Sequence, residues 1–300
     1  ALWKAAKPGE PQWPSPWSQG RPGWHIECSA MSMKYLGESF DMHGGGRDLM
    51  FPHHENEIAQ SEAATGKPFV RYWMHNGLLY TAGQKMSKSL GNFFLMEDLL
   101  AKFSPEELRF FLLSTHFRSQ AEYSEERLAE SRAAFERIRE GIVRLHEALG
   151  SADSNGGAMV SEAAADLRES TERLQREFLE AMDHDFNTAG ALGKVFEIVR
   201  HSNRFLDAAL ADGDAGVLRE VFERLQSLLQ LLGFYPNGLG TAAQQGAGRA
   251  PAEIEALAQQ RVEARAARDF EAADALRNQI SERGWIVEDR PDGYRLKKGT

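Results

Sequence analysis

Cysteine is almost missing from this 300-residue chain: Cys28 stands alone. An intrachain disulfide is thereby excluded, and such a composition suits a reducing compartment. No apolar run approaches the roughly 20 residues of a membrane span, so no membrane role is expected. A surplus of positive charge is lacking too. Thirty-five Lys and Arg stand against 44 Asp and Glu, a formal net charge of −9. That argues against a general basic coat for nucleic acid and leaves a local contact surface open. The chain starts Ala1-Leu2-Trp3-Lys4, with neither an initiator methionine nor a signal-peptide apolar core, and reads as the interior of a longer polypeptide. What is present is 42% hydrophobic and 26% charged residues in 33.5 kDa, enough for a packed core and for two or three domains.

Proline is concentrated at one end. Pro8, Pro11, Pro14, Pro16 and Pro22 are five of the 11 in the chain. Because proline fixes φ and interrupts ladders, residues 1–23 are expected to be extended loop. Residues 24–36 have a helix-compatible pattern. Phe40 and Met42 alternate in a short strand over 39–43, and Gly44-Gly45-Gly46 predicts a turn after it. Pro52 suits the first turn of a helix that reaches about Ala64 and stops at Gly66. Residues 69–80 are apolar and aromatic, a candidate buried strand. Strand and helix in alternation indicate a piece of an α/β domain with a parallel sheet.

After Ser104 the character changes. Residues 105–114 form an amphipathic helix, and Ser124 opens a long one with Leu128, Phe135, Ile138, Ile142 and Leu145 in period. Helices over 162–181, 188–209 and 215–232 complete a bundle. Residues 150–157 and 238–250 are linkers by composition. The last 50 residues read as two helical segments and a β-hairpin turning at Pro291-Asp292-Gly293.

Three clusters could carry chemistry. Lys85-Met86-Ser87-Lys88-Ser89 combines two ammonium groups and two hydroxyls on a loop, a set suited to the charge that develops as pyrophosphate leaves. Cys28, His53, His54 and Glu57 offer thiolate, imidazole and carboxylate, all zinc ligands. On a helix His53 and Glu57 (i,i+4) share a face and His54 and Glu57 (i,i+3) nearly do, so spacing leaves both histidines open. A buried free cysteine beside a polar helix start explains the same pattern without a metal. Glycines 44–46 followed by Asp48 could admit a ligand to the backbone and bind ribose hydroxyls. Trp24, His25 and His43 would bring rings near the same cleft.

Longer strings say more than these spacings. GWHIECSAM at 23–31, FDMHGGGRDLMFPHHENEIAQSEA at 40–63 and KMSKSLGNFF at 85–94 resemble the cysteinyl-tRNA synthetases. The likeness continues through HFRSQ at 116–120, AMDHDFNT at 181–188 and the end domain. KMSKS itself is similar to the second signature of class I aminoacyl-tRNA synthetases. The fold class this implies is α/β plus all-α. A partial Rossmann-type catalytic domain would cover 1–80, a connecting fold with the KMSKS loop 81–120, a helical bundle 121–237, a linker 238–250 and a small α+β anticodon-binding domain 251–300.

The resemblance also implies residue roles. Zinc would be held by Cys28, His53 and Glu57, with a fourth ligand, a cysteine, in an N-terminal half that this sequence does not contain. The His-x-Gly-His signature would lie in that half as well. Trp24 and His43 would meet the bound amino acid, Asp48 and Lys88 would bind ATP, and Lys85 and Lys88 would act on the phosphates. Arg265, Asp274 and Asp289 would face anticodon bases, with the tail Arg295, Lys297 and Lys298 near phosphate. The implied partners are L-cysteine, ATP with Mg2+, and cysteine tRNA, for a cytoplasmic monomer. Two rival readings are a mycothiol-pathway ligase, which joins cysteine to an amino sugar and would lack the end domain, and a non-catalytic fragment that only binds tRNA.

Overall fold

The prolines near the start do not keep that segment from pairing. β1 (Trp3–Ala5) and β2 (Gly20–Pro22) are antiparallel, Trp3 opposite Pro22 and Ala5 opposite Gly20. The extended loop expected over 1–23 is therefore corrected to a small two-stranded ladder. Pro8, Pro11, Pro14 and Pro16 fall between the strands, and Pro22 ends one, where the missing N–H costs no ladder bond. These positions belong to a computed structural model that describes residues 1–300 except 82, 87–93, 152–158, 209–210, 212, 240–251, 268, 291–292 and 299–300. The KMSKS hydroxyls, Lys88 and most of both linkers lie outside the described residues. The chain divides into two units, residues 1–131 with 186–189, and residues 132–185 with 190–300.

In the first unit α1 (Trp24–Leu36) leads into β3 (Phe40–Gly46), then α2 (Glu55–Thr65), then β4 (Val70–Asn76). β3 and β4 are parallel, Phe40 opposite Val70 and Gly46 opposite Asn76, with α2 as the crossover. Three expectations change here. Glycines 44–46 continue the strand instead of turning, because β4 pairs with them to their end. Pro52 precedes the helix: Phe51 before it is extended (φ −136°, ψ 132°), as the residue before proline prefers, and α2 starts three residues later. β4 is not a buried strand. Phe69 beside it is buried, but Tyr72 is 61% exposed. Gly66 ends α2 in the left-handed region (φ 69°), as a C-terminal glycine does.

β5 (Leu79–Thr81) lies between β6 (Gln84–Lys85), antiparallel, and β7 (Ala121–Tyr123), parallel. α3 (Met96–Leu100) and α4 (Pro105–Leu113) intervene. Ser104 and Glu107 form a reciprocal capping box at the start of α4. Leu108, Tyr123 and Leu128 form the core of this region.

α5 (Glu125–Ser151) runs from the first unit into the second, with Ser124 Oγ accepting from the Arg127 N–H at its start. α6 (Glu162–Asp183), α7 (Thr188–Leu206) and α8 (Ala215–Leu231) agree with the periodic apolar pattern to within a few residues. The residues read as periodic, Phe135, Ile138, Ile142 and Leu145, are all buried, together with Leu174, Phe178, Ile198 and Leu225. Gly141 lets α5 approach α7, since a Cβ there would lie 2.3 Å from Val199 Cγ1. At the end of the chain, α9 (Ala252–Ala266), α10 (Phe270–Glu282) and the hairpin of β8 (Trp285–Arg290) and β9 (Gly293–Lys298) enclose Ile254, Ala258, Ile280 and Val287.

Candidate metal centre

The parallel β3–α2–β4 unit brings the start of α2 to the C-terminal end of β3, where open α/β sheets bind their ligands. Glu57 is wholly buried there. Its Oε1 lies 2.5 Å from His53 Nε2 and its Oε2 3.2 Å from His43 Nε2. Neither oxygen is met by a hydrogen bond of good angle. A buried carboxylate left without donors is costly unless something positive completes it. Cys28, half-buried on α1, His53 and Glu57 place one ligand atom each within 4.8 Å of one another. These three residues fit a thiolate–imidazole–carboxylate zinc set. His54, the alternative that spacing left open, does not join Cys28; it stands with His43 on the other side of Glu57.

Burial sets the protonation of the cluster. It pushes the Glu57 carboxyl up to about 7 and raises the Cys28 thiol, the latter with a smaller push from the Glu57 charge. Burial also lowers His43 and His53, and takes His54 down to about 4 with help from the neighbouring imidazoles of His43, His75 and His53. Every group is thus driven toward neutrality. Neutral imidazole is the form that binds a metal, whereas the acid and the thiol need a positive partner to ionise.

The other expected residues fall around this point. The Trp24 ring lies 4.4 Å from that of His53 and stacks on His25. His25 Nδ1 is 2.8 Å from His53 Nδ1. Asp48 is exposed in the turn Arg47–Leu49 that follows β3. The close approach that the glycines permit is made by the protein itself: a Cβ on Gly45 would lie 3.0 Å from His54 Nε2, and one on Gly46 would lie 2.4 Å from Asp48 Oδ1. The backbone of Lys85 is in β6, and Lys88 lies outside the described residues. His75, on β4, was missed in the sequence; its Nε2 is 2.8 Å from His54 Nδ1. Its signal was alternation, since it shares a strand face with Trp73.

Arg265, Asp274 and Asp289 gather around a fourth residue that sequence reading missed, Arg261. Its guanidinium is buried and donates to both Asp289 oxygens, at 2.7 and 3.1 Å. Arg265 also pairs with Asp289, and Asp274 acts electrostatically on Arg261. The i,i+4 spacing of Arg261 and Arg265 on one helix was the available signal. Trp285 packs against the Ile254 core.

Residues 1–133 match the tRNA synthetases class I (C) catalytic domain, 177–235 the DALR domain, and 247–295 the cysteinyl-tRNA ligase anticodon binding domain. The fold is shared with methionyl-tRNA synthetase from Mycobacterium tuberculosis in complex with methionyl-adenylate, at TM-score 0.57 and 19% identity, over 71% of this chain and 45% of that one. It is also shared with a leucyl-tRNA synthetase ternary complex from Agrobacterium radiobacter, at TM-score 0.54 and 14% identity, over 75% and 34%. The architecture is therefore that of class I aminoacyl-tRNA synthetases. Two curated relatives named cysteine–tRNA ligase match 99% of the chain: that of Geobacter sulfurreducens at 50% identity and that of Pelotomaculum thermopropionicum at 48%. The chain belongs to the cysteine–tRNA ligase family. It spans 62% and 63% of the length of those two relatives. Among the described residues no helix is long and apolar enough to cross a membrane.

Proposed function

We propose that this chain forms the C-terminal part of a cysteine–tRNA ligase, which activates L-cysteine with ATP and transfers it to the 3′ end of cysteine tRNA. The observation that carries the reading is the convergence of ligand atoms of Cys28, His53 and Glu57 within 4.8 Å of one another, with the Trp24 ring 4.4 Å from that of His53. The match of residues 247–295 to an anticodon-binding model favours it over an amino-sugar ligase, for which that domain would have no use.

In this reading Cys28, His53 and Glu57 hold zinc with a fourth ligand outside the chain. The metal supplies a preference for soft thiolate over alcohol, which separates cysteine from the nearly isosteric serine better than a pocket of apolar groups would. Trp24 covers the bound amino acid and His43 contacts it. Asp48, at the end of β3, accepts hydrogen bonds from the ATP ribose. Lys85 and Lys88 offset the charge of the Mg2+-bound phosphates as the amino-acid carboxylate attacks the α-phosphorus and pyrophosphate departs. The tRNA terminal ribose hydroxyl then takes the cysteinyl group and AMP leaves. Arg265, Asp274 and Asp289 are the first candidates for anticodon contact. Their domain carries nearly balanced charge, so base edges rather than phosphate attraction would supply its specificity. The enzyme would work as a cytoplasmic monomer.

The test is Cys28→Ala in the full-length protein. It should remove the thiolate-marked zinc equivalent and cysteine-dependent ATP–pyrophosphate exchange together; a thiolate-to-metal band retained at full strength in the mutant, with zinc content unchanged, overturns the assignment.

A further inference from the structure

Glu57 presents its two oxygens to two different sets of donors, and the reading above uses one of them. We propose that His43, His54 and Glu57 form a second divalent-cation site, sharing the Glu57 carboxylate with the Cys28 site and suited to zinc or another late first-row dication. The proposal rests on the same reading only in taking Glu57 as a ligand.

Four observations carry it. The ligand atoms of His43, His54 and Glu57 lie within 4.8 Å of one another, with His54 and Glu57 buried and His43 half-buried. Oε2 is turned to His43 while Oε1 is turned to His53, so a cation bound at Oε1 leaves the second oxygen available. That oxygen is fully buried and receives no hydrogen bond of good geometry, although His43 Nε2 is only 3.2 Å away. Finally, His54 is backed by His75 through its Nδ1, 2.8 Å from His75 Nε2, which leaves Nε2 of His54 for a cation. Histidines that bind metals commonly have their other nitrogen held in this way. His53 is backed by His25 in the same manner, so the carboxylate is the hub of two similar half-sites.

The chemistry of the set limits the occupant. Two imidazoles and one carboxylate suit zinc, cobalt, iron or nickel, whereas magnesium and calcium favour sites made of oxygen. Without a thiolate, this half-site is spectroscopically distinguishable from the one containing Cys28. The lack of a Cβ at Gly45 is also required, since the His54 ring occupies that space.

The experiment titrates the metal-free full-length protein with Co2+, followed by absorbance, and with Zn2+ in competition with a chromophoric chelator. Two equivalents are expected, one with a sulfur-to-metal charge-transfer band and one without. His54→Ala should lose the second equivalent and keep the thiolate-marked one; Cys28→Ala should do the reverse. His75→Gln should weaken the second equivalent by about 10–100-fold and leave the first unchanged. His54→Gln, checked by circular dichroism, serves if the alanine variant does not fold. A single, thiolate-marked equivalent in the wild-type protein would mean that His43 only donates a hydrogen bond to Glu57, and would overturn the proposal. So would unchanged binding of two equivalents in folded His54 variants, or loss of both. A wild-type protein that binds metal with no thiolate band would instead refute the Cys28 assignment and leave the second site standing.

Discussion

Replacing Asp289 with asparagine tests whether the Arg261–Asp289–Arg265 cluster holds the end domain together. Asp289 accepts two hydrogen bonds from the buried Arg261 guanidinium and pairs with Arg265, and these hold its carboxyl down at about 2 from an ordinary 3.8. A shift of nearly two units corresponds to about 2.5 kcal/mol at roughly 1.36 kcal/mol per unit. Asp289 is 48% exposed, so solvent screening reduces this to about 1 kcal/mol. Asparagine also leaves the buried Arg261 charge without a hydrogen-bonded counter-charge, only Asp274 acting on it electrostatically, and its Nε has no hydrogen-bond partner. Breaking a fully buried pair costs about 3–5 kcal/mol, and the half-exposed partner here lowers the expectation to about 1–3 kcal/mol in all. Hydrogen exchange of the β8–β9 amides is the suitable assay, because a chain of several units has no single unfolding free energy. Arg261→Met should be nearly neutral, since an apolar side chain fills the same volume, and in that background Asp289→Asn should cost little. The sign with pH follows from the lowered carboxyl: the stabilisation is complete above about pH 4 and disappears as pH falls toward about 2. The protection gap between wild type and Asp289→Asn should close over that window. Unchanged protection in Asp289→Asn at pH 7, or an equal loss in the Arg261→Met background, would refute the reasoning.

Three further outcomes are expected. Gly45→Ala would set a Cβ 2.8 Å from His54 Cε1 and 3.0 Å from Leu49 Cδ1, and should cost about 1–3 kcal/mol in the protection of the β3–β4 amides, where no change would show that the ring moves freely aside. Lys88→Ala in the full-length enzyme should slow ATP–pyrophosphate exchange about 10²–10³-fold, and a wild-type rate would remove Lys88 from the phosphate site. Excess zinc should raise the KM for cysteine in the wild-type protein by withdrawing His43, and His54→Ala should blunt that effect; equal inhibition of both proteins would place the inhibitory zinc elsewhere.

Much of this protein was legible in one dimension. The bundle helices α6 to α8 followed the 3.6-residue apolar period closely, because each buries a single continuous stripe and the pattern records it. The αL glycine after α2 and the capping serine, Ser124, before α5 were equally local, since each acts within one turn of backbone. The long strings around Cys28, His53 and KMSKS carried the family resemblance for the same reason: contiguous residues share one local geometry. Where partners come from distant segments, the string was silent. Spacing allowed either His53 or His54 to join Cys28; the family resemblance chose His53, and the physical reason lies in the packing of α1 against α2, which puts Cys28 on the His53 side. Glycines 44–46 looked like a turn until β4 paired with them, and a ladder is a property of two strands, not of one. Arg261 looked like any solvated helix arginine; the return of β8 buried it and supplied its carboxylate. The amino-acid order thus determined which elements form and which chemical groups are available. The tertiary structure decided which of those groups meet, because hydrogen bonds and ligand contacts reach about 3 Å through space whatever the distance along the chain.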